Sequence, residues 1–166
     1  MYETYAEAGV KCITTPKTIM KKVGYITAIL VSFFLLPMIH PAMIAISAGI
    51  ITVVVWMFPR LNYEYEYVYC DGQLDFDKIM GRIKRKRMLR VDFEHLEVAA
   101  PEGSHELDQW KSAKVIEKDF TSYRKDITPY VLIIHKGNDL LRVKFEPNKK
   151  MIECMKYKAP RKVITS

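Results

Sequence analysis

The residues that could do chemistry are few. Ser104, His105 and Glu106 place a hydroxyl, an imidazole and a carboxylate side by side. A catalytic triad is assembled by the fold rather than along the chain, so adjacency alone does not make one. A capped loop is the expectation there. The four histidines (His40, His95, His105 and His135) have no metal-ligand spacing, and the sequence holds no H-E-x-x-H, G-x-G-x-x-G, nucleophile elbow or phosphate loop. Asp71, Asp75 and Asp77 could face a cation, but a solvated strand face or partners for nearby lysines is the favoured reading. Cys12, Cys70 and Cys154 are odd in number and lack C-x-x-C spacing. That suits free thiols in a reducing compartment. The reading therefore expects no catalytic residue, no metal, no cofactor and no small-molecule substrate.

One feature exceeds background. From Arg60 onward the chain holds 22 Lys and Arg against 17 Asp and Glu, and Arg82, Lys84, Arg85, Lys86, Arg87 and Arg90 fall in a stretch without any acid. Without these six the segment is slightly acidic, so its basicity is local. Such a cluster can meet lipid or nucleic-acid phosphates, or simply solvate a hairpin and protect a sheet edge. Tyr and Phe are not interleaved with it, as stacking on single strands requires. The six cations are therefore assigned to anionic lipid headgroups, with a membrane-tethered nucleic-acid module as the alternative.

The elements that must position them divide sharply. Residues 23–59 contain no Lys, Arg, Asp or Glu. One helix of that length would be about 55 Å long against a hydrocarbon core of about 30 Å, so the run must fold back. Pro37 and Pro41 mark the turn, at 37–41. Val23–Leu36 and Ala42–Phe58 become two helices, the first of full length only if Thr18–Lys22 join it. Lys11, Lys17, Lys21, Lys22 and Arg60 flank the hairpin and its turn carries no Lys or Arg, which places both termini in the cytoplasm. A cleaved signal peptide and a pair of soluble core helices are the competing readings. The first would leave a second membrane-length segment behind, and neither run has a polar stripe to face water. Tyr25, Trp56 and Phe58 fall at the interface. Gly24, Ala28 and Ser32, and likewise Ala45 and Gly49, recur every fourth residue, as at close helix contacts with each other, with a second copy or with a membrane partner. Residues 1–22 are then a cytoplasmic tail.

Residues 60–166 change period from helical to two. Tyr63, Tyr65, Tyr67 and Tyr69 alternate with Asn62, Glu64, Glu66 and Val68, and Asp71-Gly72 closes a hairpin. Strands follow near Leu74–Met80, Met88–Val91, Leu96–Ala100, Lys114–Phe120, Tyr130–His135 and Leu140–Glu146. A helix capped by Asn148 and stopped by Pro160 ends the domain. Seven strands and a helix predict a strongly bent antiparallel sheet or a barrel plugged by the helix. That order resembles pleckstrin-homology-like domains. Phe58-Pro59-Arg60-Leu61, Asp77-Lys78-Ile79-Met80-Gly81 with Lys84-Arg85-Lys86-Arg87, Ser104-His105 and Ala159-Pro160-Arg161-Lys162-Val163 are similar to a small bacterial family of two-span membrane proteins of unknown function. The resemblance implies a multi-pass membrane protein and brings no assigned activity with it. The reading is a non-enzymatic integral membrane protein whose domain docks on anionic lipid headgroups or a partner protein, with a membrane-tethered nucleic-acid-binding module or an accessory subunit of a larger membrane complex as the alternatives.

Overall fold

The computed structural model describes residues 4–13, 16–81 and 84–165. They form two units, one chiefly of strands and one of helices with the short segment Met80–Lys84. In the first, the tyrosine run forms β2 (Tyr63–Cys70), with Tyr65, Tyr67 and Tyr69 buried. Asp71 and Gly72 then reverse the chain with φ of 44° and 89°. Positive φ at both central residues is the type I′ turn, whose twist matches that of paired strands. β3 (Gln73–Met80) returns with Leu74 and Phe76 buried, and β4 (Lys84–Asp92) follows.

The expected tail supplies a strand. β1 (Tyr5–Lys11) pairs antiparallel with β2, from Tyr5 opposite Cys70 to Lys11 opposite Glu64. Its apolar face is Ala6, Ala8 and Val10, too small to announce a strand by propensity. Yet Ala6 is buried, and the Asn148 side chain donates to the Glu7 carbonyl at 2.9 Å. The domain therefore begins before the helices and resumes after them. The chain leaves its sheet after Lys11 and rejoins it at Glu64, which are partners on neighbouring strands.

The remaining strands are β5 (Leu96–Pro101), β6 (Ile116–Asp119), β7 (Tyr130–Lys136) and β8 (Asp139–Phe145). They form a second sheet in the order β5-β7-β8-β6, with β6 parallel to β8. This corrects the expectation of seven strands in one bent antiparallel sheet or barrel. Among the described residues there are eight, in two four-stranded sheets, and no closed barrel. Between the sheets lies an aromatic core, where Phe76 stacks on Phe120 at 4.8 Å and meets Phe145 edge-on at 5.5 Å. The Tyr67 hydroxyl donates to the Phe120 carbonyl at 2.5 Å. On the other side of the second sheet, Val131 and Ile133 pack with Val98, Ala100 and Leu107. Burial on both faces explains why Val131–Ile134 reads as a continuous apolar run. In α3 (Lys149–Lys158) the Asn148 side chain accepts from the Met151 amide at 2.8 Å, and Met151, Cys154 and Met155 are buried.

The helical unit contains α1 (Pro16–Ile39) and α2 (Met43–Met57), followed by a 3-10 turn at Phe58–Leu61. The two helices pack together, and the 3-10 turn beyond α2 also touches α1, so α2 runs back along α1. The reversal sits later than expected. Proline lacks an amide and its ring crowds the carbonyl four residues back, yet α1 continues through Pro37 to Ile39. His40 then organises the turn: its Nδ1 accepts from the Ala42 amide at 3.1 Å and its carbonyl from the Met43 amide at 2.9 Å. Thr18–Lys22 do belong to the first helix, whose segment Thr18–Leu36 has a mean hydropathy of 1.8 and is long and apolar enough to cross a membrane. α2 is apolar but shorter.

Candidate functional site

The described part of the six-cation stretch, residues 84–90, lies within β4 and makes up most of it, and Arg82 lies outside the described residues. Opposite it, Asp75 and Asp77 share one face of β3 and Glu66 the corresponding face of β2. The three arginines and three carboxylates form a ladder. The Arg85 guanidinium reaches Glu66 at 2.5 Å and Asp77 at 2.6 Å. Arg87 lies 3.7 Å from Asp77 and 3.3 Å from Asp75. Arg90 grips Asp75 with two hydrogen bonds, of 2.5 and 2.6 Å. Arg87 and Arg90 are an odd number of residues apart yet reach one carboxylate, so strict alternation is not kept between them.

Burial along the ladder is uneven. The Asp77 side chain is 6% exposed and the three guanidinium side chains about half. A carboxylate so placed depends on its arginines, because losing them leaves a nearly buried charge uncompensated. The Arg90 hydrogen bonds hold the Asp75 carboxyl below its usual range. Glu66 moves the other way: burial raises its pKa first, and the neighbouring Glu7 carboxylate adds to it. Glu7 is lowered, chiefly because the Tyr5 hydroxyl donates to it at 2.7 Å. The partners of Asp75 and Asp77 are thus arginines rather than lysines. The signal was present as two i, i+2 patterns, Asp75/Asp77 and Arg85/Arg87, on neighbouring strands.

Lys84 and Lys86 differ. Both are exposed, and among the described residues neither has a carboxylate within ion-pair distance. Within the helical unit, the Gly81 amide donates to the Asn62 carbonyl at 3.1 Å, so the β3–β4 turn lies against the segment leaving the 3-10 turn.

The other candidates separate. Ser104 precedes a 3-10 turn (His105–Trp110) without a side-chain capping bond, and His105 lies 3.3 Å from Asp108 at the surface. His135 faces Glu97 at 3.5 Å, and His40 belongs to the interhelical turn. Among the described residues, no three His, Cys, Asp or Glu side chains converge as metal ligands would. Cys12 is half-buried with its thiol toward the Thr121 carbonyl, Cys70 is exposed and Cys154 buried.

Two four-stranded sheets around an aromatic core, with a helix following the last strand, define a PH-like module. Its first two strands are separated in sequence by a pair of apolar helices. Residues 2–165 match the family described as Bacterial PH-like domain (DUF6106), and the chain belongs to that family. No curated protein and no solved structure matches it.

Proposed function

We propose that this protein is a two-span membrane protein whose PH-like domain works without catalysis, as a docking module at the membrane surface. The polarity of the helix pair carries the reading. Among the described side chains of α1 and α2, the buried ones are Ser32 and Ser47, while Phe33, Phe34, Leu35, Ile44, Val53 and Trp56 are exposed. Water would favour the reverse. In a bilayer, small and polar residues belong between helices and large apolar ones against lipid. Two hydroxyls in α2 are satisfied internally, as lipid demands: Ser47 donates to the Ile44 carbonyl at 2.9 Å and Thr52 to the Ala48 carbonyl at 2.8 Å.

Two further features support two crossings rather than one. α2 spans about 22 Å and its 3-10 continuation about 8 Å more, together close to the hydrocarbon thickness of about 30 Å. The helices also leave and rejoin the sheet at Lys11 and Glu64, partners on adjacent strands. Their two ends are therefore held on one side of any bilayer, which permits an even number of crossings. The lysine flanks and uncharged turn put that side in the cytoplasm.

For docking, Lys84 and Lys86 are the cations without a competing carboxylate, and each would gain about 1 kcal/mol at an anionic leaflet. Arg85, Arg87 and Arg90 would have to exchange Glu66, Asp75 and Asp77 for headgroups. Arg82 belongs to the same proposal by sequence. Thiol labelling tests the arrangement. An impermeant maleimide should modify a His40→Cys variant on intact cells and reach Cys70 only after the membrane is opened; the opposite order refutes it. In nanodiscs, amide exchange near Lys84 and Lys86 should slow with phosphatidylglycerol relative to phosphatidylcholine, and K84Q/K86Q should abolish the difference. A difference that survives the double variant, or a response to RNA instead of lipid, removes the docking role.

A further inference from the structure

A second basic feature lies at the other end of β2. There the 3-10 turn at Phe93–His95, the last turn of α3 and the residues after it line a cavity of about 340 Å³ that is open to the surface. Its charged lining is Lys158, Arg161 and Lys162 against Glu94, and Phe93, Ala159 and Pro160 supply apolar wall. That size falls at the lower end of small-molecule pockets.

Arg161 and Lys162 are not accounted for by ending the helix. A helix C-terminus carries roughly half a negative charge, and Lys156 and Lys158 in the last turn answer it. Arg161 and Lys162 come after the helix, where the Ala159 carbonyl already accepts from the Lys162 and Val163 amides at 3.1 and 3.0 Å. Two of the three cations are held in place. The Lys162 ammonium donates to the Leu96 carbonyl at 2.6 Å. The Lys158 stem lies over Gly72, so close that a Cβ there would stand 2.9 Å from its Cε, and its ammonium is 3.6 Å from Asp71. Arg161 makes no ion pair or hydrogen bond among the described residues and is exposed beside the cavity. A planar guanidinium is suited to phosphate.

We propose that this cavity binds the phosphate group of a small water-soluble molecule, with Arg161 as the principal ligand, Lys158 and Lys162 as supporting charges, and the apolar wall against the body of the molecule. The three cations face two carboxylates, Glu94 and the Asp71 beside Lys158, and it is the planar guanidinium of Arg161, unpaired among the described residues, that favours phosphate. The soluble source rests on the two-span reading: from Glu64, where the chain returns from the helices, to Cys70 beside this cavity is about 20 Å of strand. The phosphate chemistry does not rest on it.

The test uses the full chain in phosphatidylcholine nanodiscs, followed by amide NMR during titration with inorganic phosphate and with phenyl phosphate at constant ionic strength. Saturable shifts at Glu94 and Lys158–Val163 are expected, tighter for phenyl phosphate. Arg161→Gln should weaken phenyl phosphate binding at least tenfold while K86Q leaves it unchanged. Should R161Q disturb the rest of the spectrum, Lys158→Gln provides the same comparison with a smaller expected loss, about threefold. No saturable shift, shifts matched by chloride, or unaltered affinity in a folded variant would overturn the site. Shifts of these amides produced by phosphatidylglycerol nanodiscs alone would assign the phosphate to lipid and overturn the soluble source. Failure of the topology labelling with phenyl phosphate binding intact would leave the site standing and refute only the two-span reading.

Discussion

A lysine placed midway along either helix separates a lipid-facing surface from a water-facing one. Leu30 and Ile50 lie near the middles of α1 and α2 and are 52% and 37% exposed. If these faces met water, Leu30→Lys or Ile50→Lys would change stability by about 0.5 kcal/mol or less, as exposed substitutions usually do. Against lipid the sum is different. Leucine or isoleucine contributes about −0.5 kcal/mol to insertion at a helix centre and lysine about +3, so each replacement costs about 3.5 kcal/mol. That is a factor of roughly 300 in the insertion equilibrium. Val23→Lys is the matched control, because it extends the existing Lys21-Lys22 flank, where an ammonium can reach the headgroups. The assay is the fraction of full-length chain that stays with membranes after an alkaline carbonate wash. Val23→Lys should be retained like the parent, each central variant should be largely lost, and the pair together almost entirely. If Leu30→Lys and Ile50→Lys are retained as well as Val23→Lys, the exposed apolar faces are not against lipid, and the polarity argument for the membrane fails.

Other expectations follow from the domain. Because Lys11 and Glu64 are partners on antiparallel strands, replacing residues 12–63 by Asn-Gly, a two-residue hairpin turn, should yield a water-soluble domain with cooperative thermal unfolding. Residues 60–166 alone, lacking β1, should unfold at least 10 °C lower or aggregate. The Asp75 carboxyl is lowered by the hydrogen bonds from Arg90, so its stabilising contribution is fully present above the unfolded value of about 3.9. That contribution is lost as pH falls through the lower folded value. Glu66, raised by burial, acts oppositely and disfavours the fold as pH rises through its own range. Denaturant titrations between about pH 2 and 6 should show Asp75→Asn flattening the acid limb; an unchanged limb would mean that the Arg90 pair contributes nothing to stability. Burial pushes the Cys12 thiol up to about 12, so at pH 8 iodoacetamide should modify exposed Cys70 well before Cys12, which mass spectrometry of peptides can time.

Much of the domain was legible because strong side chains advertised it. The Tyr63–Tyr69 alternation, the Asp71-Gly72 turn, the Val131–Ile134 run and the Asn148 cap all appear where the sequence put them. β1 escaped notice because alanine and glycine carry almost no signal, and because its partner lies beyond two helices. The parallel pairing of β6 escaped for a related reason: strand direction depends on the path of a long connection, which local pattern does not encode. The turn falls at His40 rather than at Pro37 because α1 carries Pro37 within its last turn, despite the lost amide and the crowding of the ring. Of the small residues expected at close helix contact, Ser32 is buried and Ala28 half-buried, while Gly24, Ala45 and Gly49 are exposed; Ser47, not among them, is buried as well. Helical spacing names a set of faces, and packing chooses among them. At the candidate site the cations were legible and their neutralisation was not, since register across β2, β3 and β4 decides which carboxylate meets which guanidinium.

The separation of β1 from β2 sets an order on synthesis. β1 leaves the ribosome first and has no neighbour to pair with until residues 12–63 have followed. At about 5–20 residues per second it waits on the order of several seconds, a strand edge without its mate and a candidate for capture by chaperones. Only when both helices have found their place can Lys11 meet Glu64, after which α3, formed last, fastens β1 through the Asn148 bond to Glu7. β1, made before the helices, is thus secured after them. The finished sheet works as a clasp, holding shut the loop of chain that contains the helices.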